Sequence, residues 1–162
     1  MNMSHACEIP RDTGYSNVCQ ICGVPSDAGY FDVASIQDAP TKVGEEVELA
    51  RHELHSQYCG TLLYFAQFAD EGLNRQVISH TPGYEWAILC NNQPRSPYLP
   101  TSLILNPWGY NAFPIHLRLE EGCTVRFMVR KVAPQGALSQ VGGRLLGRTW
   151  YNTIYGGAPN RL

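Results

Sequence analysis

Three cysteines and one histidine near the N-terminus are the residues of this chain best suited to bind a metal ion. Cys19 and Cys22 form a Cys-x-x-Cys-Gly turn, in which two thiolates can reach one metal and the glycine lets the backbone curl toward them. Cys7 and His5 would complete a Cys3His ligand set, although only one residue separates them. Three hypotheses stay open: a structural zinc site, inert thiols or a disulfide, and a redox pair, which here lacks the usual βαβ context.

A second candidate for metal chemistry is the sequence RHELH, which runs from Arg51 to His55 and is similar to a metalloprotease motif. That motif places two histidines four residues apart on one helical face, whereas His52 and His55 are three apart in a segment with strand character. Two such side chains on a strand point to opposite faces, so we interpret them as surface or edge histidines. The sequence also lacks a nucleophile elbow, a phosphate-binding loop and a dinucleotide fingerprint, and we predict no catalytic residue and no enzymatic activity.

The charge and the apolar pattern of the chain argue against nucleic-acid and membrane partners. The formal net charge is −2, and the two lysines, Lys42 and Lys131, cannot form the basic cluster that phosphate binding needs. No apolar stretch approaches the roughly 20 residues that span a bilayer, and the N-terminus lacks the pattern of a signal peptide. We therefore expect a cytoplasmic protein unless it is packaged in a particle, with no cofactor apart from the zinc hypothesis.

The elements that must position these residues are β-strands. Apolar and polar residues alternate most clearly in FPIHLRLEEGCTVRFMVR, residues 113–130, which we interpret as an antiparallel hairpin around a Glu-Glu-Gly turn. The period of two predicts that six apolar side chains share one buried face: Ile115, Leu117, Leu119, Val125, Phe127 and Val129. Strands are predicted at 47–54, 58–68, 75–80, 84–91, 101–105, 113–120, 123–132 and 141–151.

Short strands joined by turns rich in glycine and proline predict an all-β fold, an antiparallel β-sandwich of jelly-roll or Greek-key type with an extended N-terminal arm. The 162 residues, of which 44% are hydrophobic, suffice for one such domain. The predicted arm covers residues 1–43, with the Cys-x-x-Cys knuckle and one short strand at GYFDVAS. The predicted sandwich covers residues 44–155, and a tail covers 156–162.

Small residues within the predicted strands point to close packing. Cys59, Cys90 and Cys123 lie in or beside strand-like runs, where an unbonded cysteine packs as a small apolar residue. The pair Gly142-Gly143 lies within a predicted strand, where glycine marks a bulge or a close backbone approach.

The predicted loops are rich in aromatic residues and proline. Proline stiffens a loop and aromatic side chains offer a large contact area, so these loops suit contact with another chain; alternatively, they cap the open ends of the sandwich. The best candidates for interaction are Tyr98, Trp108, Tyr110 and Tyr155. Extended arms at both ends of the chain could also add to the edge of a neighbouring sheet.

The order of features in residues 47–151, about two thirds of the chain, resembles the β-sandwich accessory proteins of tailed-bacteriophage particles. The resemblance lies in a first strand pair followed by YEWAILCNNQP, FPIHLRLEEGCTVRFMVRKV and GGRLLGRTWY, and the Cys-x-x-Cys segment departs from it. It implies a non-enzymatic cement, connector or tail protein of the virion, whose partners are other protein subunits in a homo- or hetero-oligomer. The alternatives are a carbohydrate- or ligand-binding module with Trp108 and Tyr110 as its stacking platform, and a metal-dependent β-sandwich enzyme.

Overall fold

The structure is a computed structural model that describes residues 24, 28–70, 83–94, 99–100 and 112–151. These residues form nine strands: β1 (Gly29–Asp38), β2 (Glu46–Glu53), β3 (Tyr58–Asp70), β4 (Tyr84–Cys90), β5 (Gln93–Pro94), β6 (Leu99–Pro100), β7 (Ala112–Leu119), β8 (Thr124–Lys131) and β9 (Gln140–Tyr151). The predicted strands at 75–80 and 101–105 lie outside the described residues.

The nine strands form two antiparallel sheets. Sheet 1 has the order β1-β9-β3-β7, and sheet 2 has the order β2-β8-β4-β5, with β6 also paired to β4. Apart from the links around the short strands β5 and β6, each step along the chain passes from one sheet to the other. The prediction of an all-β, antiparallel, sandwich-like fold is therefore confirmed for the described residues.

The hairpin predicted for residues 113–130 is wrong. Strand β7 pairs with β3 in sheet 1, whereas β8 pairs with β2 and β4 in sheet 2, so the turn at Gly122 (φ 64°) links two sheets. The prediction of burial is correct: four of the six apolar side chains lie in the core, and Ile115 and Leu117 pack against it. Alternation identifies the face of a strand that is buried, but a hairpin and a link between sheets show the same alternation.

Aromatic side chains from both sheets meet in the core. The ring centroid of Phe127 lies 5.5 Å from that of Phe65 in sheet 1 and 5.7 Å from that of Trp86 in sheet 2. Phe127 also covers Gly143, where an added Cβ would lie 2.5 Å from its Cδ1 atom and 2.7 Å from the Cβ of Leu49. The predicted close backbone approach in the Gly-Gly pair is thus confirmed. The prediction that Cys59, Cys90 and Cys123 are buried is confirmed.

Strand β1 is longer than the short strand predicted at GYFDVAS. It pairs with β9 along its whole length, from Gly29 opposite Thr149 to Asp38 opposite Gln140. The Ser35 hydroxyl donates a hydrogen bond to the Leu49 carbonyl of β2, and Gln37 Nε2 donates to the Glu48 carbonyl at 2.6 Å. Part of the predicted arm is therefore an edge strand of sheet 1 that also contacts sheet 2.

The turn from β4 to β5 is formed by two asparagines. Asn91 and Asn92 have φ angles of 51° and 63°, the left-handed values that a two-residue type I′ hairpin turn needs. The Asn91 Oδ1 atom accepts a hydrogen bond from the Thr124 amide at 2.9 Å, which ties this turn to the start of β8. Asparagine suits the position because it tolerates positive φ better than most residues do.

Candidate interaction surface

The residues predicted from the sequence to form a site lie outside the described residues. They are the metal candidates His5, Cys7, Cys19 and Cys22, and the interaction candidates Tyr98, Trp108, Tyr110 and Tyr155. The zinc hypothesis and the loop hypothesis therefore stay predictions.

The two histidines of the RHELH sequence have packing and surface positions. His52 lies on the edge strand β2, and its ring stacks on Phe31 of β1 with a centroid distance of 3.9 Å. Burial lowers the pKa of His52, and the neighbouring His55 lowers it further. His55 follows the end of the strand and is exposed. This placement agrees with their interpretation as edge histidines, and among the described residues no group of three His, Cys, Asp or Glu could hold a metal.

Three adjacent strands of sheet 1, β1, β9 and β3, share an outer surface, and β7 lies beyond β3 at the edge of the sheet. Their register aligns the outward side chains in four rows of three, and we call this surface the four-row face. From β1 through β9 to β3, the rows are Tyr30, Arg148 and Thr61; Asp32, Leu146 and Tyr64; Ala34, Arg144 and Ala66; and Ile36, Gly142 and Phe68. A bulge after Leu62 places Thr61 and Tyr64 in neighbouring rows.

Large apolar side chains are exposed on the four-row face. The exposed fraction is 72% for Tyr30, 62% for Ile36 and 42% for Tyr64. The Arg148 guanidinium lies 4.7 Å from the centroid of the Tyr30 ring, and its Nη2 atom donates a hydrogen bond to the Ala28 carbonyl at 2.7 Å. Arg148 therefore supports one side of the Tyr30 ring, while most of the tyrosine stays in contact with solvent. Adjacent exposed apolar residues of this kind are typical of interaction surfaces.

A hollow of about 370 Å³ lies at the end of the face that carries the fourth row. Its floor is Gly142, because this residue has no side chain to fill the space between Ile36 on β1 and Phe68 on β3. A Cβ atom added at Gly142 would lie 3.0 Å from Ile36 Cγ1 and 3.4 Å from Phe68 Cβ. The Ser35 carbonyl oxygen would lie even closer, at 2.9 Å, so only glycine fits at this position, and the hollow lies above it between two larger side chains.

One ion pair lies in the middle of the four-row face. Arg144 Nε donates to Asp32 Oδ1 at 2.7 Å, and the Nη2 atom of the same guanidinium donates to Asp32 Oδ2. The hydrogen bonds from Arg144 hold the pKa of the Asp32 carboxyl below its usual value. Because the pair is bidentate, its two charges have a fixed order across the face.

The outer face of sheet 2 has a different character. Charged side chains of neighbouring strands pair there: Arg130 Nη2 lies 2.7 Å from Glu85 Oε2, and Arg126 pairs with Glu48. Asn92 Oδ1 accepts a further hydrogen bond from Arg126 at 2.8 Å. Of the two outer faces in the described part of the chain, the four-row face is therefore the one that offers apolar area to a partner.

The sequence prediction placed the interaction residues in loops and missed this face. Its members come from strands far apart in the sequence, and each strand by itself shows ordinary alternation. A signal exists in GYFDVASIQD, where Phe31 and Val33 alternate with Tyr30, Ala34 and Ile36. Apolar residues on both faces are a pattern typical of strands that are covered on both sides.

Comparison with known proteins assigns no family to this architecture. No protein-family model matches the sequence, and no curated protein matches it significantly. The described part of the chain contains no helix that is long and apolar enough to cross a membrane.

Proposed function

We propose that the chain is a non-enzymatic structural or interaction protein of a multimeric assembly. The observation that carries this proposal is the exposure of Tyr30, Ile36 and Tyr64 on one regular sheet face. Tyrosine and aliphatic side chains at the centre of a protein interface lose water and pack against a partner, and they supply most of its binding energy. The mechanism is association, in which the four-row face buries apolar area against a neighbouring subunit.

The strand order supports a jelly roll as the specific fold. If β5 and β6 count as one interrupted strand, the nine strands become eight. The first strand then pairs with the eighth, the second with the seventh, the third with the sixth and the fourth with the fifth. A ribbon of nested strand pairs that wraps into two sheets is a jelly roll, which viral capsid proteins and lectins both use.

A place in a phage particle follows from the resemblance of residues 47–151 together with this strand order. The protein would then be a cement, connector or tail component of the virion, and its partners would be other protein subunits. The predicted interaction loops, with Trp108 and Tyr110, would add contacts at the ends of the sandwich. Because one fold serves many functions, the exposed face supports the proposal more directly than the fold does.

Sedimentation velocity of the purified full chain over a wide concentration range tests the proposal. We expect an oligomer of defined size that persists on dilution into the low micromolar range. A chain that sediments as a monomer at every concentration would contradict self-assembly through its own surface.

The second candidate function is a carbohydrate- or ligand-binding module. The exposure of Tyr30 favours it, since an exposed aromatic ring offers a stacking surface for a sugar. A glycan array that compares the wild type with Tyr30→Ala and Trp108→Ala separates the two functions. Binding that either substitution removes would favour the ligand-binding function, and a wild type that binds no glycan would contradict it.

A further inference from the structure

We propose that the four-row face binds the same face of a second copy of this chain, so that two sheets pack face to face about a two-fold axis. This inference rests on the proposed function, because it names the partner and the surface through which assembly begins. It follows from the order of side chains in the four rows, which is complementary to itself.

The axis lies in the plane of the contact and runs parallel to the rows, between the second and the third row. Rotation about it places the first row of one copy over the fourth row of the other, and the second row over the third. Neighbouring rows on β1 are two residues, or about 6.6 Å, apart, and Tyr30 and Ile36 are about 20 Å apart along the strand. Both ends of the face are therefore in contact at once.

Three contacts then place a large side chain opposite a smaller one, whereas Tyr30 lies over Ile36 and Leu146 lies over Arg144. Arg148 of the first row lies over Gly142 of the second copy, and Phe68 of the fourth row lies over Thr61. In the middle rows, Tyr64 lies over Ala66. Arg148 enters the hollow above Gly142 of the other copy, and Tyr30 packs on Ile36 at the edge of that hollow. This alternation lets two sheets approach to the roughly 10 Å of a packed pair.

The central charges are complementary under the same rotation. Asp32 lies in the second row and therefore faces the third row of the other copy, which contains Arg144. Arg144 of the other copy lies one strand away at the same level, so each Asp32 carboxylate has a second guanidinium beside it. Such an arrangement selects the partner and its orientation more than it adds affinity. An interface in which one patch binds itself is isologous and closes as a dimer.

The first test changes one apolar residue of the face and uses a matched control. Ile36→Glu places a carboxylate in the contact in both copies, whereas Val43→Glu changes a residue of similar exposure (58%) in the turn between β1 and β2. Because the apolar contact of Ile36 is lost in both copies of a symmetric dimer, Ile36→Glu should raise the dimer Kd about 100-fold. Val43→Glu should leave it unchanged. Equal effects of the two substitutions, or none, would overturn the proposal.

The second test reverses the central ion pair. The double variant Asp32→Arg/Arg144→Asp keeps the pair within each copy and keeps the complementarity between two identical copies. Mixed with isotope-labelled wild type, it places like charges opposite each other. Native mass spectrometry should therefore show both homodimers and almost no mixed dimer, whereas mixed dimers at the statistical share would overturn the proposed contact.

The outcomes separate this inference from the proposed function. An oligomer that Ile36→Glu leaves intact and that mixes freely with the reversed variant would overturn the four-row contact and leave the assembly function standing. A wild-type chain that is monomeric at every concentration would overturn the four-row contact and would restrict the assembly function to binding a different protein.

Discussion

Introducing a methyl group at Gly143 should destabilise the protein, because side chains of the opposite sheet lie directly against this residue. The added Cβ of Gly143→Ala would lie 2.5 Å from Phe127 Cδ1 and 2.7 Å from Leu49 Cβ, against the 3.5–4.0 Å of a normal carbon contact. Overpacking of this kind destabilises a protein by about 1–3 kcal/mol. Alanine also lowers the conformational entropy of the unfolded variant, which offsets about 0.4–1 kcal/mol of that loss. The free energy of unfolding should fall by about 1–2 kcal/mol.

Urea denaturation measures this change as a decrease of about 0.5–1 M in the midpoint, given the usual dependence of stability on urea concentration. Gly29→Ala is the matched control, because a Cβ atom there meets its nearest neighbour, the Thr149 carbonyl oxygen, at 3.8 Å. We expect Gly29→Ala to leave stability unchanged or slightly raised.

A double-mutant cycle then attributes the effect to the contact between sheets. Phe127→Leu removes ring atoms beside Gly143, so the alanine methyl group should cost less in the double variant than in the wild type. The coupling free energy should be at least about 0.5 kcal/mol and favourable. If the two substitutions are additive, Gly143 and Phe127 are not in contact and the packing described here is incorrect.

Three further experiments test local features of the structure. Burial lowers the pKa of His52, so the unfolded chain binds a proton at this residue before the folded chain does as the pH falls below about 6.5, and stability should decrease there. His52→Phe keeps the ring stack and should therefore reduce the fall in melting temperature between about pH 7.5 and about pH 5. An unchanged pH slope in that variant would contradict the stacked position. Asn91→Ala should cost about 2 kcal/mol in chemical denaturation, because it places alanine at positive φ and removes the acceptor for the Thr124 amide, and Asn91→Asp should cost less. A variant with serine at positions 7, 19 and 22 keeps only Cys59, Cys90 and Cys123. These thiols should react with a thiol reagent only after unfolding, because they are buried and burial raises the pKa of the Cys59 thiol. Rapid labelling of the native protein would show that the core is open.

The sequence predicted the identity and the buried faces of the strands well, because the period of two is local information. Leu119, Val125, Phe127 and Val129 are in the core as expected. Strand pairing was predicted less well. The alternation around Gly122 has the same form whether the two strands pair with each other or lie in different sheets, and the long-range partners β3 and β2 decided the outcome.

The four-row face could not be predicted in the same way. Its rows exist only after β9 has inserted between β1 and β3, which brings Tyr30, Arg148 and Thr61 together from three distant parts of the chain. Gly142 was predicted to mark a close approach, but its role as the floor of a hollow depends on Ile36 and Phe68 at its two sides.

Native mass spectrometry of the purified full chain, before and after treatment with a chelator, tests the assembly function most directly, because one spectrum reports stoichiometry and bound metal. We predict a closed oligomer built from dimers that survives the chelator, since the four-row face needs no metal. The hypothesis of a zinc site at His5, Cys7, Cys19 and Cys22 predicts in addition one zinc per chain, removed by the chelator without dissociation. A monomer, or an oligomer that dissociates when zinc is removed, would contradict assembly through this face.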